Sequence, residues 1–349
     1  MSALQAAERA SRTRAAGQPS ADPAGTGMFS HHPGPYLLLS NPRARSVDRT
    51  AIAGIAARLG LEGRAIREIG RDGSARALAA EAVRARRPYL LVAGGDGTLH
   101  EVVQEVAGTD TALGLIPLGT ANDLARRLTI PLELDATCAL LSAPRVAAVD
   151  LLRIGERLIA SVGGFGIAAD IVAFSNRVRR RPPLRQLLAP LGSAIYPAAA
   201  AATIIARRPR DVRYALRADV SRPHILRAAA ILVGLTDRFG GALKLVPGGG
   251  VQPGTFCALV ITASTRRSLL AALQSLRSGH TAGRYFRSYS GLTCLEFHSS
   301  HPVGAFADGE WLGLRHRSRV ELERAALKVI VPPAFAGVHT RTAVLQEAI

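Results

Sequence analysis

Two glycine-rich turns carry the residues of this chain whose types and spacing could do chemistry. The first lies in Tyr89–Leu99, Y-L-L-V-A-G-G-D-G-T-L, where an apolar run drops into Gly94, Gly95, Asp96, Gly97 and Thr98. A helical pattern, Leu99 to Val106, follows at once. A strand feeding a glycine turn at a helix start builds an anion site: the glycines let backbone N–H groups approach phosphate oxygens, and the helix dipole favours negative charge there. An aspartate inside that turn would repel phosphate unless a divalent cation stood between them. The residues therefore imply a metal–nucleotide pair. The turn is neither G-x-x-x-x-G-K-[ST] nor G-x-G-x-x-G, and Gly-Gly-Asp-Gly alone is also compatible with an ordinary tight turn.

The second turn follows Leu113–Thr120, L-G-L-I-P-L-G-T, and continues into Ala121, Asn122, Asp123, Leu124, Ala125, Arg126 and Arg127. Asn122 and Asp123 are good capping residues for a helix that begins there. Two successive strand–turn–helix units in one α/β domain put both acidic turns at the carboxyl edge of a parallel sheet, where ligands of such sheets bind.

At these residues the chain resembles the diacylglycerol kinase / sphingosine kinase superfamily, especially its soluble bacterial members. The matching motifs are G-G-D-G-T at Gly94–Thr98, P-L-G-T-A-N-D-L-A-R at Pro117–Arg126 and D-G-E at Asp308–Glu310, with Asn41-Pro42 after Tyr36–Leu39 as the opening turn. The G-G-D-G-T turn alone is shared with NAD kinases and phosphofructokinases; its combination with the other motifs is specific. The resemblance implies ATP-dependent transfer of the γ-phosphoryl group to a lipid hydroxyl, on diacylglycerol or a ceramide or sphingoid-type lipid. It implies that Asn41, Pro42, Gly94, Gly95, Asp96, Gly97, Thr98, Glu101, Gly119, Thr120 and Asn122 line the nucleotide. Asp96 and Asp123, with Asp72, would organise Mg2+ through water, and Asp308 or Glu310 would act as the base. Phosphoryl transfer asks for position, charge neutralisation and an acceptor for the hydroxyl proton. The alternatives are an NAD-kinase-like small-molecule kinase, or an inactive ATP-sensing protein that binds membranes.

The chain also departs from the family pattern. Arg45 stands where the opening turn has glycine, and Arg67 where many bacterial members carry threonine shortly before the counterpart of Asp72. Gln252 and Pro253 replace an acidic pair that holds a structural Mg2+ in the family, so that site is expected to be absent. Arg238–Gly241 resembles a turn near the acceptor pocket.

The elements that must position these groups follow from the pattern. Up to about Val149 strands and helices alternate, which predicts a doubly wound parallel sheet. Beyond it, apolar or alternating runs at 158–162, 212–218, 230–235, 256–262, 293–297, 320–322 and 328–331 predict a β-sandwich-like domain. The expected divisions are a disordered segment 1–33, an ATP-binding domain 34–148, a lipid-substrate domain 149–333, and a tail 334–349 that returns to the first domain. Gly163–Gly166 reads as a flexible cleft wall or as a bulged strand end.

With 349 residues, 48% hydrophobic and 20% charged, the chain can bury two cores. A formal charge of +18, nearly all of the excess from arginine, suits phosphate contacts and an anionic membrane surface. Aromatic content of 5% without aromatic–basic interleaving argues against nucleic acid as a partner; a homodimer is left open. Cys138, Cys257 and Cys294 form no metal-ligand spacing and read as reduced thiols. His298 and His301 read as polar loop residues, and His31-His32 as linker. The uncharged stretch Leu187–Ala206 is interrupted by Pro190, Gly192 and Pro197 and reads as a buried or surface helix. The basic run Arg177–Arg185 before it could dock at a membrane or be a solvated loop. The first residues lack a secretory h-region. The expected location is the cytoplasm, peripherally at the inner face of the cell membrane.

Overall fold

The structure, a computed structural model, describes residues 36–42, 49–180, 195–206, 212–219, 221–236, 238–239, 243–244, 253–280 and 283–335. The segment 1–33, nearly all of the 334–349 tail, Arg45, Arg181–Arg185, Gly240-Gly241 and Gln252 lie outside the described residues.

Strands β1 (Tyr36–Ser40), β2 (Ile66–Glu68), β3 (Tyr89–Gly94) and β4 (Ala112–Pro117) alternate with helices α1 (Arg49–Arg58), α2 (Ala75–Arg84) and α3 (Asp96–Val106). Helices α4 (Asp123–Arg127) and α5 (Leu134–Ser142) follow β4. The strands pair in parallel in the order β4-β3-β1-β2. Every residue of β3 and β4 is buried, because helices cover both faces of a parallel sheet. On one face Leu78 and Ala79 of α2, Val102 and Val103 of α3 and Leu124 of α4 pack together. On the other, Ile55 of α1 and Cys138 and Leu141 of α5 do the same. Helix α2 shows why the local sequence folds so: the Ser74 hydroxyl accepts the Ala77 N–H at its start, and Ala75, Leu78, Ala79 and Ala82 recur at helical spacing to form one buried stripe.

The second lobe contains β5 (Val146–Ile154), β6 (Arg157–Ile159), β7 (Val162–Gly166), α6 (Ile167–Arg180), α7 (Ile195–Ala206), β8 (Val212–Ala218), β9 (His224–Ala228) and β10 (Ala230–Gly234). It continues with the small pair β11 (Arg238–Phe239) and β12 (Leu243–Lys244), then β13 (Phe256–Ile261), α8 (Arg266–Arg277), β14 (Phe286–Leu292), β15 (Cys294–Ala307) and β16 (Glu310–Ile330). Its interior packs Tyr214, Leu216 and Phe297 against Phe165, Ile231 and Phe256. This is the β-sandwich-like core. A second apolar layer sets Val172 of α6, Ile204 of α7 and Leu269 of α8 against Leu232, Leu259 and Phe306.

Several sequence expectations change. The runs at 320–322 and 328–331 belong to one strand, β16, which pairs with β15 at its start and with β4 in parallel near its end. Leu327, Val329 and Val331 sit in the first lobe's core. A return to the first domain thus already comes inside 149–333, and β5 begins at Val146; Phe335, the last described residue of the 334–349 tail, packs against the same core. Helices α6 and α8 were not legible as interruptions of the β pattern, although the Thr265–Ser268 capping box marks the start of α8. Gly163 and Gly164 are strand residues rather than a cleft wall: a Cβ on Gly164 would fall 2.6 Å from the Ile231 carbonyl oxygen, so glycine permits close strand packing. His298 and His301 lie on β15, not in a loop. Cys138 and Cys257 are buried, Cys294 is half-buried, and no disulfide joins them. Residues 195–206 form α7, packed on α6 and α8. Among the described residues no helix is long and apolar enough to cross a membrane.

Candidate functional site

Strand β3 ends at Gly94, and Gly95 caps α3. Strand β4 ends at Pro117, and its turn runs through Gly119 to α4. The two turns touch backbone to backbone: a Cβ on Gly119 would fall 2.6 Å from the Gly95 Cα, and one on Gly95 would fall 3.0 Å from the Gly119 Cα. Only glycine allows this approach. The Leu118 N–H donates to the Gly94 carbonyl at 3.0 Å, which extends the ladder past the strand ends.

Asp96 then joins the turns. Its carboxylate accepts the Asn122 N–H at 2.9 Å and the Asp123 N–H at 2.7 Å. The first turn of α4 is thus capped by an aspartate of the other motif. Asn122, expected to be the cap, makes no side-chain cap bond. It adopts φ 50° and closes its own turn instead, accepting the Gly119 N–H at 2.9 Å and donating to the Gly119 carbonyl at 3.1 Å. Burial raises the Asp96 pKa and the nearby Asp308 charge adds to the rise, while the Asp123 and Asn122 N–H groups counteract it.

Asn41 follows β1 and donates from Nδ2 to the Thr98 hydroxyl at 2.7 Å. Thr98 is buried and fills the space beside Gly94, where a Cβ would meet its Cβ at 3.0 Å. Pro42, Gly97, Glu101 and Thr120 are exposed around this ledge. A Cβ on Gly97 would meet nothing within 4 Å, so the space above it is open.

Asp308 reaches the same region from the second lobe. It occupies the turn between β15 and β16 with φ 44°. Its Oδ1 accepts the Ser161 N–H at 2.9 Å, the Ser161 hydroxyl at 2.7 Å and the Val162 N–H at 3.3 Å. Its Oδ2 accepts the Ala160 N–H at 2.8 Å and lies 3.2 Å from His100 Nδ1. Burial alone would raise its pKa; His100, Ala160 and Ser161 outweigh that and hold the carboxyl below the usual range. Asp308 is therefore a caged anion whose lone pairs are engaged by these donors. Glu310, two residues on, is half-buried and makes no ion pair among the described residues.

Asp72 Oδ2 accepts the Glu68 N–H at 2.7 Å and lies 3.9 Å from Arg67 Nε, so it braces the turn after the edge strand β2. Among the described residues no three Asp, Glu, His or Cys side chains converge into a metal cage. The expected Asp96, Asp123 and Asp72, acting on Mg2+ through water, ask for no such cage. Magnesium asks for less, since it keeps several waters and needs only one or two carboxylates beside substrate phosphates. Asp96 fits that demand, because a carboxylate offers about four lone-pair directions and the Asn122 and Asp123 N–H groups take one on each oxygen.

Two residues that sequence reasoning passed over belong here. His100 sits one helical turn after Asp96, a spacing that could have flagged it. Arg127 ends α4 and donates to the Ala160 carbonyl at 2.8 Å and the Asp150 carbonyl at 2.9 Å. Burial lowers its pKa to about 10, against the favourable charges of Asp150 and Asp308, so it stays protonated at neutral pH.

A doubly wound domain whose carboxyl-edge turns meet an acidic hairpin of a β-sandwich-like lobe defines a two-domain α/β phosphotransferase class. Residues 35–154 match the diacylglycerol kinase catalytic domain, and residues 164–331 match the YegS C-terminal NAD kinase beta sandwich-like domain. A protein of Pectobacterium atrosepticum named "Probable lipid kinase YegS-like" is 28% identical over 268 residues, 75% of this chain and 84% of that protein. The Bacillus subtilis protein named "Diacylglycerol kinase" is 26% identical over 265 residues, 74% of this chain and 83% of that one. In fold, the chain is similar to a crystal structure of a diacylglycerol kinase from Bacillus anthracis, with a TM-score of 0.62 and 17% identity over 86% of this chain and 97% of that chain. The chain thus carries a diacylglycerol kinase catalytic domain followed by a YegS-type C-terminal domain, the pair of domains that its resemblance to diacylglycerol kinases implied.

Proposed function

We propose that the protein is an ATP-dependent lipid kinase that moves the γ-phosphoryl group of ATP to a hydroxyl of a membrane lipid, diacylglycerol or a ceramide or sphingoid-type lipid. The observation that carries this reading is the convergence of Asp96, from the first lobe's glycine turn, with Asp308, from the second lobe's hairpin.

The apposed turns at Gly95 and Gly119 offer backbone to the phosphates, and Asn41, Thr98, Glu101 and Thr120 border the nucleotide. Asp96 would hold magnesium with Asp123 nearby, and the ion would neutralise phosphate charge. Caged Asp308 fixes the turn that carries Glu310, and Glu310 accepts the hydroxyl proton. The positive balance of +18 favours peripheral contact with an anionic leaflet, where such an acceptor resides.

The test incubates purified protein with γ-labelled ATP, Mg2+ and mixed micelles of diacylglycerol, ceramide or a sphingoid base, with NAD as a soluble control. Label in one lipid class is the expected result. Label only in NAD, or in none, overturns the reading.

A further inference from the structure

We infer that His100 is a positioning residue for phosphoryl transfer: its bond to Asp308 registers the Asp308–Glu310 turn of the second lobe against Asp96 of the first. The inference rests on the kinase reading above. Helix α3 begins at Asp96, and His100 and Gln104 follow at successive four-residue steps along one side of it. This side is the helix's seam with the second lobe. The Gln104 amide donates to the Leu158 carbonyl at 2.9 Å, and its Oε1 accepts the Leu158 N–H at 3.1 Å. One turn closer to Asp96, His100 Nδ1 lies 3.2 Å from Asp308 Oδ2.

The remaining partners of Asp308 come from the segment that joins β6 to β7. Ala160, Ser161 and Val162 donate to its carboxylate, and its own N–H donates to the Val162 carbonyl at 2.8 Å. Those bonds tie the turn to a segment that Gln104 and Arg127 dock on the first lobe. His100 adds a side-chain bond from Asp308 itself to the nucleotide helix, and the contact is dry: the two side chains are 5% and 4% exposed. An anionic carboxylate only accepts, so Nδ1 carries the hydrogen. Arg127 steadies the same arrangement from the second turn, because Ala160 accepts from Arg127 through its carbonyl and donates to Asp308 through its N–H. A dry, directional bond between two lobes is the kind of support that holds reacting groups to within a fraction of an ångström.

Asparagine supplies the test, because its Nδ2, like histidine Nδ1, is bonded to Cγ and can replace the donor. The full chain, His100→Asn and His100→Leu are compared for kcat with the lipid class the wild type phosphorylates, for KM of ATP and for thermal midpoint. The expected result is a fall in kcat of about 10- to 100-fold in His100→Leu with KM for ATP within about twofold, and recovery to within about threefold of wild type in His100→Asn. Wild-type kcat in His100→Leu, or equal losses in both variants with raised KM, overturns the inference while leaving the kinase reading intact. A wild type that labels no lipid overturns the kinase reading and this inference with it.

Discussion

Asp96 caps the helix that begins at Asp123, although the two residues belong to different glycine turns; the bond from the Asp123 N–H is 2.7 Å. A carboxylate that could be read as a metal ligand alone is thus also the strut joining the two turns. The Asp123 side chain, the other member of the acidic pair, is held at the helix start that Asp96 defines.

Asp96→Ala is accordingly expected to do two things. It removes the metal-holding carboxylate, so transfer should fall by at least about 100-fold, on the scale of losing a preorganised charge-stabilising group. It also orphans the Asn122 and Asp123 N–H groups, at about 1–3 kcal/mol for each donor left buried without a partner. Lipid labelling and chemical denaturation measured on the same preparation check both halves. Full stability in the alanine variant would show that the strut is not needed.

Asp308→Asn should destabilise the fold at neutral pH by about 3–5 kcal/mol, because an amide NH2 would face donors that now meet an anion. The pH dependence has a definite sign. A carboxyl whose folded pKa lies below the unfolded value of about 3.9 contributes stability above that value and loses it as pH falls through the folded pKa. The gap in thermal midpoint between wild type and Asp308→Asn should therefore be widest above pH of about 5, begin to narrow below about 4, and close only as pH falls through the lower folded pKa. Asp96, with a raised pKa, carries the opposite sign: its ionisation opposes folding as pH rises. A gap that widens on acidification would contradict the caged-anion description of Asp308.

Gly119→Ala places a methyl 2.6 Å from both the Gly95 Cα and the Asn122 Oδ1. Backbone cannot yield there as a flexible side chain would, so the turns must part. Overpacking of this kind costs about 1–3 kcal/mol, and KM for ATP should rise with it. Calorimetry and ATP titration would show the two effects together; Gly97→Ala, which meets nothing within 4 Å, is the steric control.

Arg127→Met removes a buried cation and leaves the Ala160 and Asp150 carbonyls without their donor. The loss should be about 2–6 kcal/mol, at about 1–3 kcal/mol for each orphaned acceptor. Arg127→Lys keeps the charge but lacks the planar fork that reaches two carbonyls at once, so it should recover part of that stability. Urea midpoints of the three proteins rank them: wild type, Lys, Met.

Much of the first domain was legible because parallel strands buried on both faces read as apolar runs, and each is punctuated by glycine or a cap. The second domain was legible in strand character and less so in continuity. Strand β16 turns through Ala325 at φ 50°, where Asp150 accepts the Ala325 N–H at 2.8 Å, so one strand reads locally as two. The contacts of Asp72 were not legible, because motif matching has no distances in it: in the fold it follows an edge strand and braces its own turn.

Residue type and spacing by themselves determined the glycine turns, the acidic residues within them and the family, because backbone freedom and side-chain charge are local properties of a short segment. Tertiary structure alone decided which partners those charges meet. Asp308 became a caged anion, and His100 its link to the nucleotide helix, because antiparallel pairing and a chain return through β16 bring together groups separated by some two hundred positions. No local pattern encodes that meeting; it follows from burying two cores beneath one continuous sheet.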